Sequence, residues 1–135
     1  METSHKFRME GLTLTVADVQ RSIAFYRDQL GLTLEWDASP QFAMLRLGVG
    51  PGATLGLLSR DEAEKEGAKM PNAEQARAVH VELSTDHLDD LCEELRTRGV
   101  RIDVPPHDEP WERAMTIFDP DGYSVEFAQG RRGKK

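Results

Sequence analysis

The chain has 135 residues, 39% of them hydrophobic and 30% charged, with a net charge of −7. That length suits one globular domain that buries a core without staples, and no run approaches the ~18 apolar residues of a membrane span. A single cysteine, Cys92, excludes an internal disulfide and a multi-cysteine zinc site. Four of the 17 basic residues, Arg131, Arg132, Lys134 and Lys135, lie in the last five positions and read as a frayed basic tail over 129–135. The body they leave behind is acidic, which disfavours nucleic acid and favours a cationic ligand.

Residues 1–10 hold no apolar run of the signal-peptide kind, so a cytoplasmic location is expected. Residues 10–16 alternate with period two: Leu12, Leu14 and Val16 share one face, and Gly11, Thr13 and Thr15 the other. Asp18 is placed to cap a helix carrying Ile23, Phe25, Tyr26 and Leu30, and Gly31 to end it. Short strands are predicted over 32–36, 42–47 and 54–58, with the glycine-rich stretch 48–52 as a turn. This first module, about 9–58, reads β, α, β, β, β. Residues 59–78 form a polar connector with room for one helical turn and no evident demand for packing.

The second module, about 79–128, repeats the pattern. Val79, Val81 and Leu83 alternate with His80, Glu82 and Ser84. Thr85 or Asp86 is placed to cap a helix whose Leu88, Leu91, Cys92 and Leu95 fall on one stripe, ended by Gly99. Strands over 100–104, 114–118 and 123–127 follow, the last two joined by the turn Asp119-Pro-Asp-Gly122. Asp18 to Gly31 and Asp86 to Gly99 cover equal spans, which argues for a structural repeat. A βαβ unit with two added strands covers one sheet face with its helix. Two such modules are expected to enclose a cavity between their uncovered faces, an α+β fold of tandem βαβββ modules.

Three segments carry a resemblance. Val16-Ala-Asp-Val-Gln-Arg-Ser-Ile-Ala-Phe-Tyr-Arg-Asp-Gln-Leu-Gly-Leu32 resembles the first-module signature of the vicinal oxygen chelate superfamily, which includes glyoxalase I, bleomycin-resistance proteins and extradiol dioxygenases. His80-Val-Glu-Leu-Ser-Thr-Asp86 resembles the opening strand of its second module, and Phe118-Asp-Pro-Asp-Gly-Tyr-Ser-Val-Glu-Phe127 its final hairpin. The resemblance implies the fold; members range from isomerases and dioxygenases to binding proteins, so it implies no one activity. It also implies where a divalent metal is held, on the first and fourth strands of each module. Those four positions fall here on Gly11, Gly56, His80 and Glu126, and only His80 and Glu126 have side chains that ligate.

Alternation alone sends His80, Glu82 and Glu126 to the uncovered face, with Thr13 opposite. Two ligand-binding readings stand side by side, next to a third in which the protein is a dimer whose cavity is closed by packing and takes no ligand. In the first the chain binds or sequesters an aromatic or cationic compound without chemistry, as the resemblance to dimeric bleomycin-resistance proteins implies. Trp36, Phe42, His80, Glu82, Trp111 and Glu126 line that pocket, and no cofactor is required. In the second, His80 and Glu126 hold nickel, zinc, manganese or iron for a lyase, isomerase or dioxygenase resembling glyoxalase I, and Glu126 or Glu82 moves the proton. A partner chain would complete that set with His5 or His107, both read as loop residues. Exposed sheet edges and cavity rims favour a homodimer. Trp111, in a proline-rich loop over 105–113, either covers its face with a ligand or an interface or folds back onto the sheet edge. Cys92 reads as a core residue, and Asp119 and Asp121 as turn formers without a catalytic role. Gly11 and Gly56 mark either a lost metal site or a widened pocket, and in the latter case Gly11→Leu weakens ligand binding while the fold survives.

Overall fold

A computed structural model describes residues 3–48 and 52–130. The turn read at 48–52 lies partly, and the four basic residues near the C-terminus wholly, outside the described residues. The first module runs β1 (Gly11–Val16), α1 (Val19–Ile23), a π-helical turn (Ala24–Gln29), β2 (Thr33–Ala38), β3 (Phe42–Arg46) and β4 (Thr54–Ser59). The second runs β5 (His80–Ser84), α4 (Leu88–Thr97), β6 (Ile102–Asp108), β7 (Glu112–Phe118) and β8 (Ser124–Gly130). Between them lie α2 (Arg60–Lys65) and α3 (Ala73–Arg77). The two four-stranded sheets have the same order, β1-β4-β3-β2 and β5-β8-β7-β6, each with one parallel pair. Among the described residues, no helix is long and apolar enough to cross a membrane.

The period-two strands place their apolar sets as their sequence dictates. Leu14, Val16, Ala43, Leu45, Leu55 and Leu57 are buried under the first helix, and Val81, Met115, Ile117, Val125 and Phe127 under the second. Asp18 caps α1, its carboxylate accepting from the Arg21 amide at 3.2 Å. The wider π turn that follows admits two consecutive aromatics, Phe25 and Tyr26, to the core, packed edge to face. Gly31 and Gly99, both with positive φ, end the two helices as read.

Four expectations are corrected. The helix α4 starts at Leu88 after His87, with neither Thr85 nor Asp86 as its cap; the Leu88 amide donates instead to Gln129 Oε1 of β8 at 2.7 Å. The connector holds two short helices, and it does pack: Ala63 and Ala76 are buried. The strand β6 runs on through the prolines to Asp108, so the loop read at 105–113 shrinks to a tight turn at Glu109–Trp111. At the C-terminus β8 continues to Gly130, so the tail begins later than 129.

The turn aspartates do more than shape their own turn. Asp119 accepts from the Asp121 and Tyr123 amides at 2.9 Å, and its other oxygen accepts from the Tyr26 hydroxyl of the first module at 2.7 Å. Asp121 accepts from Arg21, Ser22 and the Ala17 amide, and Tyr123 donates to the Thr15 carbonyl at 2.6 Å. The final hairpin of one module is thus pegged into the first strand and helix of the other. Burial, then the neighbouring Asp119 and Asp121, pushes the Tyr123 hydroxyl up to about 12, so it remains a donor at any ordinary pH.

Candidate functional site

The site grows out of the strand registers. β5 and β8 run parallel with His80 opposite Ser124 and Glu82 opposite Glu126, so alternation places all four side chains on the helix-free face. One ligating atom from each of His80, Glu82 and Glu126 lies within 4.8 Å of the others. The convergence expected from alternation is therefore present, including the closeness of the two carboxylates, which the sequence could not show. Burial raises the Glu126 carboxyl above its usual range; the negative charges of Glu82 and Glu112 add to this, and His80 opposes it.

Two further residues belong to this face. Glu112 stands opposite Gly130 in β7, on the same face as Thr116 and Glu126, and is only 4% exposed. Counting back by twos from Thr116 would have found it, had the strand not been cut at Ala114. His107 pairs with Ala114 across β6 and β7, which puts it on the same face as well. It is a strand residue of the same chain, contrary to its reading as a loop histidine. Its Nδ1 lies 3.0 Å from the Pro105 carbonyl and its Nε2 2.8 Å from the Glu109 carboxylate. A neutral imidazole donates from one nitrogen only, so two oxygen acceptors around the ring favour its protonated form. These two contacts, Pro105 first, raise its pKa, and the charge of Glu126 contributes too.

The first sheet repeats the geometry without the chemistry. Gly11 lies opposite Thr54 and Thr13 opposite Gly56, the counterparts of His80 with Ser124 and Glu82 with Glu126. A Cβ on Gly56 would come within 2.7 Å of Thr13 Oγ1 and 3.1 Å of the Phe42 ring. A Cβ on Gly11 would meet the Thr54 backbone carbonyl oxygen at 2.3 Å. Both glycines are therefore demanded by local packing, and Gly11→Leu would disturb strand pairing, against the expectation that the fold survives it. A hollow of about 170 Å³ remains, lined by Gly11, Thr13, Phe42, Met44, Thr54 and Gly56.

Trp36 stands beside this hollow, packed edge to face on Phe42 at 6.3 Å between ring centres. It is 60% exposed, and Trp111, at the β6–β7 turn, is 55% exposed. Trp36 and Phe42 thus meet on the first module while His80, Glu82 and Glu126 meet on the second. His5 lies in the exposed N-terminal segment, outside any strand or helix. Cys92 is buried, which raises its thiol pKa and makes it an inert core residue.

A cation suits the carboxylate face. Two carboxylates and an imidazole are oxygen and nitrogen donors appropriate to zinc, manganese or iron(II), and a dication there would relieve the repulsion between Glu82 and Glu126. His80, Glu82 and Glu126 would hold it.

Comparison with known proteins agrees with the topology. The chain is 31% identical over 126 residues to the lactoylglutathione lyase of Salmonella typhimurium, covering 87% of this chain and 89% of that protein. A glyoxalase/bleomycin resistance protein/dioxygenase from Nocardioides superposes with a TM-score of 0.78 at 30% identity, over 98% of this chain and 89% of that one. TnmS3, an antibiotic binding protein from Streptomyces sp. CB03234, shares the fold with a TM-score of 0.69 at 22% identity, over 93% and 98%. The profile of the Glyoxalase/Bleomycin resistance protein/Dioxygenase superfamily matches residues 8–127, and the chain belongs to that superfamily.

Proposed function

We propose that this protein binds a small aromatic or cationic compound on its helix-free sheet faces, in the manner of the superfamily's binding proteins. The observation that carries the reading is the asymmetry of the two registers. His80 and Glu126 have Gly11 and Gly56 as counterparts, and Thr13 and the Phe42 ring occupy the room a ligating side chain would need. What the first face offers instead is aromatic surface from Trp36 and Phe42, which attracts a flat or cationic ligand by stacking and by the ring quadrupole. The second face adds Glu82 and Glu126 as counter-charges. Phe7, Met9, Trp36 and Trp111 are large exposed apolar residues. A homodimer that lays the aromatic face of one copy over the acidic face of the other would cover them and build the complete pocket from two chains.

Titration with a panel of aromatic cations, followed by tryptophan fluorescence and calorimetry, tests this reading. Binding that falls about tenfold in Glu82→Gln and in Trp36→Leu is expected, the scale of one charge pair or one ring contact. A panel without a binder, or affinity indifferent to both changes, sinks it. Sedimentation should show a dimer at micromolar concentration.

The convergence of His80, Glu82 and Glu126 supports a second reading, a divalent-metal enzyme of the lactoylglutathione lyase kind. A metal there would polarise a substrate oxygen. The chain's own part would be to orient that substrate against Trp36 and Phe42 and to take or give its proton at the Glu126 carboxylate, whose raised pKa suits proton exchange. Close to one metal per chain by mass spectrometry, lost in His80→Ala and in Glu126→Ala, would favour this second reading over the first.

A further inference from the structure

A larger cavity lies at the end of the second sheet, in a region where the sequence carries no binding motif. Its volume is about 540 Å³, and its walls come from α3 (Ala73, Glu74, Arg77), from Arg101 before β6, and from Phe118, Pro120 and Gly122 at the β7–β8 turn. None of His80, Glu82 or Glu126 lines it. Its size is within the ~300–1,000 Å³ of small-molecule sites.

Two guanidinium groups converge on one ring in this cavity. Arg77 lies 5.2 Å and Arg101 4.9 Å from the centre of the Phe118 ring. Two like charges gathered at one ring repel each other, and an anion between them would relieve that repulsion. Asp103 offsets part of it, accepting two hydrogen bonds at 2.9 and 3.2 Å, both from Nη2 of Arg77. That leaves Nε and Nη1 of Arg77 for another acceptor. The guanidinium of Arg101 rests on the ring. The arrangement is held from beneath: Ser124 Oγ donates to the Arg77 carbonyl at 2.7 Å, which fixes the end of α3 on the sheet.

We propose that this cavity binds an aromatic monocarboxylate, with Arg77 and Arg101 sharing the carboxylate and the ligand's ring lying against Phe118 and Pro120. A planar oxyanion matches the fork of guanidinium donors better than it matches a point charge. The apolar walls, Phe118, Pro120 and Ala73, take the ring. Two acidic residues at the cavity set the limit on ligand charge. Asp119 spends both oxygens inward on Tyr26, Asp121 and Tyr123, whereas Glu74 stands exposed at the rim and repels a second negative charge. A single carboxylate is therefore favoured over phosphate. This inference is independent of the ligand proposed above, because the two sites share no side chain.

The test is a calorimetric titration of the full chain with benzoate, benzamide, acetate and inorganic phosphate. Benzoate should bind saturably, at least about tenfold more tightly than benzamide, which has its shape without its charge. Acetate and phosphate should both bind more weakly than benzoate. Arg101→Gln changes an exposed side chain and should retain the fold by circular dichroism while losing about tenfold in benzoate affinity; Phe118→Leu should erase the preference for benzoate over acetate; and Glu74→Gln should strengthen benzoate by a few-fold. Equal binding of benzoate and benzamide, or full affinity in Arg101→Gln, overturns the site. Phosphate binding as tightly as benzoate overturns the ligand class.

Discussion

The two modules share one strand order and one register, yet their open faces differ almost completely. In the second module the positions at the parallel strand pair carry His80, Glu82 and Glu126; in the first the equivalent positions carry Gly11, Thr13 and Gly56. The covered faces, by contrast, are apolar in both. The difference teaches that the core fixes the polarity of the side of a sheet turned toward it, while the other side answers only to close neighbours such as those around Gly11 and Gly56. The other side is free to diverge, and it is there that function is written.

The joint between the modules is the first place to break that symmetry. Asp119→Ala removes the acceptor of the Tyr26 hydroxyl and of two backbone amides at once. Leaving buried donors unsatisfied costs about 1–3 kcal/mol per group, so a loss of about 3 kcal/mol in urea unfolding is expected. A loss below about 1 kcal/mol would show that the peg is dispensable.

Matched substitutions at equivalent positions sharpen the comparison. Gly11→Leu should destabilise by about 2–3 kcal/mol, because its first carbon already meets the Thr54 carbonyl. His80→Leu, at the counterpart position on an exposed face, should stay within about 0.5 kcal/mol. Thermal melts of the two variants side by side decide it, and equal effects would erase the distinction. Gly56→Ala is gentler: Thr13 Oγ1 and the Phe42 ring must both give way, which costs about 1 kcal/mol. It should also displace the Phe42 ring from Trp36, read as a change in tryptophan emission.

The smallest effect lies in pH dependence. In metal-free protein the Glu126 carboxyl is held above its usual range, chiefly by burial and then by Glu82 and Glu112. Folding then retains a proton the unfolded chain would release, so stability falls as pH rises from the ordinary carboxylate range through the raised value. Glu126→Gln should flatten that decline and be the more stable protein at neutral pH, judged by urea unfolding at a series of pH values with chelator present. A parent curve that rises across the same window would contradict the shift.

Much of this was legible in the sequence because local rules govern it. Period-two alternation assigned faces to strands; Asp18 and Gly31 bounded the first helix; the alternation of His80 and Glu82 around Val81 sent both toward the open face. The misreadings also have local causes. Prolines at 105 and 106 read as loop, yet β6 tolerates them at a sheet edge, where an amide has no ladder partner to lose. That misreading hid Glu112 from the site and left His107 as a loop residue to be lent by a partner chain. Thr85 and Asp86 looked like helix caps because the true capping acceptor, Gln129, comes from a strand far along the chain. No local pattern could supply it.

The sequence by itself determined the two modules, their superfamily, the apolar face of the first strand of each module and the outward turn of His80, Glu82 and Glu126. These depend on backbone periodicity and on short signatures, which are properties of neighbouring residues. Only the tertiary structure decided that Glu82 and Glu126 stand directly opposite, that Gly11 and Gly56 leave no room for a ligand side chain, and that Arg77 and Arg101 meet over Phe118. Each is a contact between segments far apart in the chain, set by strand register and by how the connector folds back, and register follows from the packing of the whole core.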